Sequence, residues 1–160
     1  MLGPAGASGL RVLDIYAGTG GLGIEALQRG AELAVFIEQD ARRCDDIKKA
    51  LERHRLAMQS SVQRGSALHA VGRLKGEFDL IFADPPYDLV EFEALFERVE
   101  EAGLIAPKAI AFLEHSKMTE LPDSLPGLTL STHRLYGDTA VSVYKSSQKL
   151  TTASQQSGSE

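Results

Sequence analysis

The stretch DIYAGTGGLG, Asp14–Gly23, decides the fold, because its glycines at positions 18, 20 and 23 have the spacing G-x-G-x-x-G. It overlaps the apolar run RVLDIY, which is long enough for a buried strand and too short for a helix. It continues into GLGIEALQRG, where apolar residues recur at helical spacing before Gly30. A strand, a glycine turn and a helix in this order let the backbone approach a ligand closely. The stretch therefore predicts a ligand-binding turn in an α/β fold.

The rest of the chain continues the alternation of strands and helices. Helical patterns cover 21–30, 40–57 and 90–103. The second pattern has Asp40 as a predicted N-cap, and its apolar face carries Cys44, Ile47, Leu51 and Met58. Strand patterns cover 11–16, 33–38, 60–65, 78–84, 109–115, 128–137 and 139–145. The alternation predicts a mostly parallel, seven-stranded sheet with helices on both faces and a closing C-terminal β-hairpin.

Length and composition predict one domain with unstructured ends. The chain has 160 residues, of which 43% are hydrophobic, and a net charge of −5. We expect a flexible N-terminus at 1–9, a domain at 10–146 and a disordered tail at 147–160, because both ends are rich in small or polar residues. The acidic balance argues against a large electrostatic contact area for nucleic acid, although a local basic patch is compatible with it.

The sequence lacks the features typical of disulfide-bonded, metal-binding, membrane-spanning and secreted proteins. A single cysteine, Cys44, excludes an internal disulfide and favours the reducing cytoplasm. The four histidines have no spacing typical of metal ligands, so we expect no metal site. The apolar runs are too short to span a bilayer, and the first residues do not resemble a secretory signal. We expect a cytoplasmic monomer without a metal or a membrane segment.

Two acids close to the glycine turn indicate which ligand it binds. Glu38 ends the second predicted strand, where a carboxylate can accept both hydroxyls of a ribose. Asp14 lies inside the first strand, where it would repel a pyrophosphate such as that of NAD. A ligand with a sulfonium, an ammonium and a ribose fits both acids, and S-adenosylmethionine is such a ligand. The alternatives are that Asp14 only binds loop amides and that Glu38 is a solvated strand end.

A second motif, Asp84-Pro85-Pro86-Tyr87, follows the strand pattern FDLIFAD. Two consecutive prolines stiffen the segment and remove two backbone donors. Asp84 and the carbonyl of Pro85 could then accept the two hydrogens of a conjugated amine, while Tyr87 stacks on its ring. Holding the amine in line for attack on a methyl group would be mainly a matter of positioning. Taken alone, the motif could equally be a proline-rich turn.

Four segments together resemble a known family. VLDIYAGTGGLGIEAL, FIEQD, FADPPY and RLYGDTAVSVY are similar, in order and spacing, to the Rossmann-like class I S-adenosylmethionine methyltransferases, and among them to the RsmD type. RsmD-type enzymes methylate the exocyclic N2 of a guanine in 16S ribosomal RNA, and the resemblance covers about residues 10–146. It implies cofactor contacts at Asp14, Ala17, Gly18, Gly20, Glu38 and Asp84, and a target base held by Asp84, Pro85, Pro86 and Tyr87.

The chain departs from the family pattern at two places. Family members often have an acid after the third strand that contacts the adenine amine, whereas this chain has Ser66. We expect the Ser66 hydroxyl to accept one cofactor hydrogen bond there. The family also has a basic stretch before the first strand, which this sequence does not contain. We therefore expect good cofactor binding and weaker methylation of RNA.

The sequence as a whole predicts an S-adenosylmethionine-dependent rRNA guanine-N2 methyltransferase that releases S-adenosylhomocysteine. Its predicted partner is ribosomal RNA or the small-subunit particle. One alternative is an amino-methyltransferase acting on DNA adenine or on a protein amide, because the same motif suits any planar amine. Another is a truncated, non-catalytic module that binds the cofactor.

Overall fold

The structure is a computed structural model that describes residues 6–84 and 89–147. Its strands are β1 (Arg11–Ile15), β2 (Leu33–Glu38), β3 (Ser60–Arg64), β4 (Phe78–Ala83), β5 (Ile105–Ser116), β6 (Ser124–Leu125), β7 (Leu128–Tyr136) and β8 (Thr139–Ser146). Its α-helices are α1 (Gly21–Gln28), α2 (Ala41–Arg53), α3 (Ala67–Val71) and α4 (Leu89–Glu101), and a 3-10 turn covers Ala57–Gln59.

All eight strands form one sheet in the order β3-β2-β1-β4-β5-β8-β7-β6. The pairings among β1 to β5 are parallel, whereas β8 pairs antiparallel with β5 and β7. The α/β class, the parallel sheet and the closing hairpin are therefore confirmed. The predicted count of seven strands was wrong by one, because β6 is a two-residue strand that pairs with the start of β7. Two residues are too short to show a period-2 pattern.

The first strand lies where the direction of chain winding reverses. β1 pairs with β2 on one side and with β4 on the other. In open α/β sheets a crevice forms at such a switch point, outside the carboxyl ends of the strands. The glycine turn follows β1 and Asp84, the first residue of the second motif, follows β4, so the turn and Asp84 lie at this crevice.

Each face of the sheet packs on its own set of helices. Along β1, Val12 belongs to the core under α1 and α2, and its neighbour Leu13 belongs to the core under α3 and α4. Gly23 permits close packing of α1 against Phe36 on β2. A Cβ on Gly23 would lie 2.3 Å from the Phe36 ring, so only glycine fits there without a rearrangement.

The second helix begins as predicted and ends earlier. The Asp40 side chain accepts a hydrogen bond from the Arg43 N–H at 3.0 Å, which confirms the N-cap. The helix ends at Arg53, and Arg55 adopts a φ of 58° that no helix can contain. Cys44, Ile47 and Leu51 are buried as predicted. Met58 was wrongly assigned to that face, because it lies beyond the helix end and is 96% exposed.

Within the described ranges, no helix is both long enough and apolar enough to cross a membrane.

Candidate active site

A cleft of about 340 Å³ opens at the carboxyl ends of β1 and β4 and extends over β5 and β8. One end is formed by the loop between β1 and α1. The other end is formed by the last residues of β4 and by side chains of β5 and β8. The lining residues are Asp14, Ile15, Tyr16, Ala17, Gly18, Thr19, Gly21, Leu22, Phe82, Ala83, Asp84, Phe112, Glu114 and Val141.

The glycine loop is built on left-handed backbone. Gly18 has a φ of 59° and Gly20 a φ of 77°, a region that residues with side chains seldom occupy. Gly18 lines the cleft, whereas Gly20 is buried behind it. A Cβ on Gly20 would lie 3.0 Å from Ile47, so this glycine provides space for α2 to pack. Ala17, the third loop residue singled out by the sequence, also lines the cleft and donates its N–H to the Ile37 carbonyl at 2.9 Å.

Glu38 holds the glycine loop from the neighbouring strand. It is 7% exposed, and its Oε1 accepts the Gly18 N–H at 2.8 Å while its Oε2 accepts the Asp40 N–H at 2.7 Å. The interpretation of Glu38 as a solvated strand end therefore fails. Glu38 is not among the cleft-lining residues, but it adjoins Gly18, which is. Each carboxylate oxygen has a second lone pair, so both can still accept a ligand hydroxyl.

Asp14 lines the cleft and stabilises the start of α1. The residue that caps this helix is Gly20, which has no side chain to accept a backbone hydrogen bond. Asp14 Oδ2 accepts the Gly23 N–H at 3.1 Å instead, reaching across from β1. Burial raises the pKa of Asp14 to about 7; the Gly23 hydrogen bond lowers it, and the Glu38 charge raises it further. Both sequence interpretations are thus compatible with the geometry, since Asp14 binds a loop amide and also faces the cleft.

Asp84 lies at the opposite side of the cleft, directly after β4. Partial burial raises the pKa of Asp84 above its ordinary value, and the positive charge of a protonated His115 acts in the opposite direction. The other members of the predicted amine-holding motif, Pro85, Pro86 and Tyr87, lie outside the described residues.

Ser66 does not line the cleft. It is the N-cap of α3, and its hydroxyl accepts the His69 N–H at 3.3 Å. The hydroxyl oxygen is thereby engaged in the helix cap. The sequence could not show this role, because a five-residue helix has too few turns to give a clear period.

Tyr16 is a cleft residue that the sequence analysis missed. It has a φ of 59°, which is rare for a bulky side chain and tends to occur at functional sites. Burial, followed by the nearby Glu91 charge, raises the pKa of Tyr16 to about 12. Its buried hydroxyl has no hydrogen-bond partner among the described residues. The sequence signal that could have identified Tyr16 is its position between Ile15 and the glycine loop.

A second missed feature ties β5 to β8 near Asp84. His115 Nδ1 lies 2.9 Å from the Ser116 carbonyl oxygen and Nε2 lies 2.7 Å from Ser142 Oγ. A carbonyl only accepts, so Nδ1 carries a proton, and in the neutral ring Nε2 accepts from the Ser142 hydroxyl. His115 and Ser142 are 6% and 1% exposed, and His133 packs edge-on against the His115 ring. The contacts of His115 with Ser142 and His133 join residues that are far apart in the sequence, so no local sequence pattern could reveal them.

Carboxylates dominate the electrostatics of the cleft. Among the described residues, Asp14, Asp84 and Glu114 are its charged lining residues, and neither lysine nor arginine lines it. Such a lining is unfavourable for the pyrophosphate of a dinucleotide and favourable for cationic groups and N–H donors. No cluster of three or more side chains able to hold a metal ion occurs within the described part of the chain.

Known proteins share both the sequence and the fold. The family model described as conserved hypothetical protein 95 matches residues 1–145. "Putative rRNA methyltransferase YlbH" of Bacillus subtilis (strain 168) is 36% identical over 148 residues, covering 91% of this chain and 80% of that protein. Ribosomal RNA small subunit methyltransferase D of Escherichia coli (strain K12) is 28% identical over 133 residues, covering 83% of this chain and 67% of that protein.

Solved structures agree with these relatives. The structure titled "Putative methyltransferase yhhF from Escherichia coli" superposes with a TM-score of 0.80 and 27% identity, over 89% of this chain and 80% of that one. The match of the family model over nearly all of the described residues, the relative at 36% identity and the shared fold agree with the glycine loop and Asp84 at one cleft. The chain therefore belongs to the family described as conserved hypothetical protein 95, the RsmD-type methyltransferases.

Proposed function

We propose that this chain transfers a methyl group from S-adenosylmethionine to the exocyclic N2 of a guanine in small-subunit ribosomal RNA. The observation that carries the proposal is one cleft that joins the glycine loop to Asp84 across adjacent strands. Related proteins named for methylation of ribosomal RNA support the choice of substrate. The substrate is either the free RNA or the small-subunit particle.

The residues at the glycine end suit the cofactor. The carboxylate of Asp14 faces the cleft and would attract the cationic methionine part, and Gly18 leaves space beside the backbone. Ala17 and Gly20 complete the loop, and Glu38 would accept the ribose hydroxyls with its remaining lone pairs. When bound, S-adenosylmethionine supplies the methyl group that is transferred.

At the other end, Asp84 would hold and activate the target amine. A guanine inside a helix is stacked and paired, so it must be unpaired or flipped to reach the cleft. The Asp84 carboxylate accepts one N2 hydrogen, and we assign the second acceptor to the carbonyl of Pro85. Pro86 keeps the segment stiff and Tyr87 stacks on the base. As positive charge develops on the nitrogen, the negative charge of Asp84 stabilises it.

Two variants of Asp84 test this assignment. Asparagine keeps an acceptor oxygen and loses the charge, whereas alanine loses both. We expect Asp84→Asn to retain partial methyl transfer, and Asp84→Ala to lose roughly 10- to 150-fold, since a hydrogen bond to a charged group contributes about 1.5–3 kcal/mol. The measurement is single-turnover transfer of labelled methyl groups to small-subunit particles and to naked ribosomal RNA. Nucleoside analysis of the product identifies the methylated atom.

Cofactor affinity serves as the control in the same experiment. Loss of an interaction made only in the transition state lowers the rate and leaves binding of S-adenosylhomocysteine nearly unchanged. Wild-type rates for Asp84→Ala would contradict the catalytic role. Methylation of DNA or protein in parallel assays, with none on RNA, would instead favour a different amine as the substrate.

A further inference from the structure

We propose that Glu114 selects guanine as the target base by accepting its N1–H hydrogen. This inference rests on the proposed function, because it assigns the neighbouring edge of the same base whose N2 amine Asp84 would hold. Glu114 lines the cleft at the end formed by β4, β5 and β8, away from the glycine loop.

The register of the sheet places Glu114 beside Asp84. Ala83 on β4 pairs with Leu113 on β5, and each chain continues by one residue to Asp84 and to Glu114. Parallel strands lie about 4.8 Å apart, so Asp84 and Glu114 occupy neighbouring positions just beyond the end of β4. Both residues line the same cleft. A single planar base can therefore contact both with adjacent atoms of one edge.

The Glu114 carboxylate is exposed and has no ion-pair partner among the described residues. The nearest cation along its row is Arg134, which is separated from it by Val141 on β8. Asp14 and Glu38 differ in this respect, since their oxygens already accept backbone N–H groups. No hydrogen bond from another described residue reaches the Glu114 carboxylate, so both of its oxygens can accept from a ligand.

The surroundings of Glu114 suit a flat, apolar ring. Phe112 and Val141 line the cleft next to it, and the rings of Phe82 and Phe112 stack with centroids 5.9 Å apart. Guanine presents N1–H and the N2 amine as adjacent donors on one edge. Adenine presents an unprotonated N1, whose lone pair a carboxylate would repel. Two neighbouring carboxylates at the end of an apolar slot therefore match the donor edge of guanine.

The test compares guanine with 2-aminopurine, which keeps the exocyclic amine but has an acceptor at N1. Small-subunit particles or RNA carrying either base at the target position are methylated under single turnover. We expect the wild-type protein to prefer guanine by roughly tenfold or more, the effect of one hydrogen bond to a charged group. In Glu114→Gln the side-chain amide can donate to N1 of 2-aminopurine, so this preference should shrink several-fold.

Glu114→Ala should slow transfer to guanine, and Glu120→Gln, an exposed change beyond β5, should match wild type.

The outcomes separate this inference from the proposed function. An active wild-type protein whose preference is the same in Glu114→Gln would overturn the role of Glu114 alone. Weaker binding of S-adenosylhomocysteine in Glu114→Gln with an unchanged preference would assign Glu114 to the cofactor, and would also overturn it. Failure of the wild-type protein to methylate N2 of guanine in either substrate would overturn the proposed function together with this inference.

Discussion

The two ends of the cleft use carboxylates in different ways. At the glycine end, Asp14 and Glu38 are buried and accept three backbone N–H groups, those of Gly23, Gly18 and Asp40. At the β4–β5 end, Asp84 and Glu114 are exposed, and no backbone N–H of a described residue donates to them. Carboxylates therefore hold the backbone in place at the glycine end, whereas at the β4–β5 end they remain available to a ligand.

The buried carboxylates preorganise the cofactor site, whereas the exposed carboxylates are available to recognise the substrate. Fixed carboxylates hold the glycine loop in its left-handed conformation before any ligand arrives, which reduces the ordering that binding requires. Available carboxylates keep their acceptor capacity for donors on a substrate. Substitutions at the glycine end should therefore change stability and cofactor binding, and substitutions at the β4–β5 end should change turnover and substrate choice.

The largest effect at the glycine end is expected from Asp14→Asn. The pKa of Asp14 rises from 3.8 in its ordinary state to about 7 in the folded protein, because burial disfavours its charge. Its contribution to the free energy of unfolding is therefore complete below pH 3.8 and is lost as the pH rises through 7. The loss reaches up to about 4 kcal/mol at about 1.36 kcal/mol per pKa unit. Asparagine does not titrate and can still accept the Gly23 N–H.

Urea unfolding of both proteins between pH 4 and pH 8 measures this effect. The stability advantage of Asp14→Asn should grow as the pH rises to about 7 and then level off, and the variant should bind S-adenosylhomocysteine more weakly than wild type at pH 8. A constant difference between the two proteins over that range would mean that Asp14 has an ordinary pKa.

A smaller effect is expected from Glu38→Ala. Removing the carboxylate leaves the N–H groups of Gly18 and Asp40 without their acceptor and loosens the loop. We expect binding of S-adenosylhomocysteine to weaken by about 1.5–3 kcal/mol, the range for a hydrogen bond to a charged group. Glu38→Gln keeps one acceptor oxygen and should lose less. Calorimetry on the three proteins measures the affinities, and unchanged affinity in both variants would remove Glu38 from the cofactor site.

Local patterns were sufficient to predict most of the fold and one end of the cleft. The strand-glycine-helix order placed the loop after β1, and the strand patterns placed Glu38 at the end of β2 and Asp84 within one residue of the end of β4. These features depend on neighbours in sequence, such as the period of apolar residues and the backbone freedom of Gly18. The same reasoning also gave Asp40 as the cap of α2.

The β4–β5 end depends on contacts between residues far apart in the chain. Glu114 lies next to Asp84 only because of the β4–β5 register, and Ser142 meets His115 across 27 residues. Nothing in the local pattern around Glu114 distinguishes it from any other exposed acid in a strand. The helix cap formed by Ser66 was missed for a different reason, because α3 is too short to be recognised from its sequence.

The smallest effect is expected from Ser142→Ala, and it tests whether the two ends are independent. The Ser142 hydroxyl is hydrogen-bonded to His115 Nε2 at 2.7 Å and joins β8 to β5 next to Glu114. Its removal should cost about 1 kcal/mol of stability, a typical net value for one hydrogen bond. Turnover should fall, because the end of β5 is held less firmly, while affinity for S-adenosylhomocysteine stays as in wild type. Ser131→Ala, an exposed change on β7, is the matched control for the loss of a hydroxyl. If Ser142→Ala weakened cofactor binding as much as Glu38→Ala, the ends would be coupled through the sheet, and the division between a fixed and an available end would not hold.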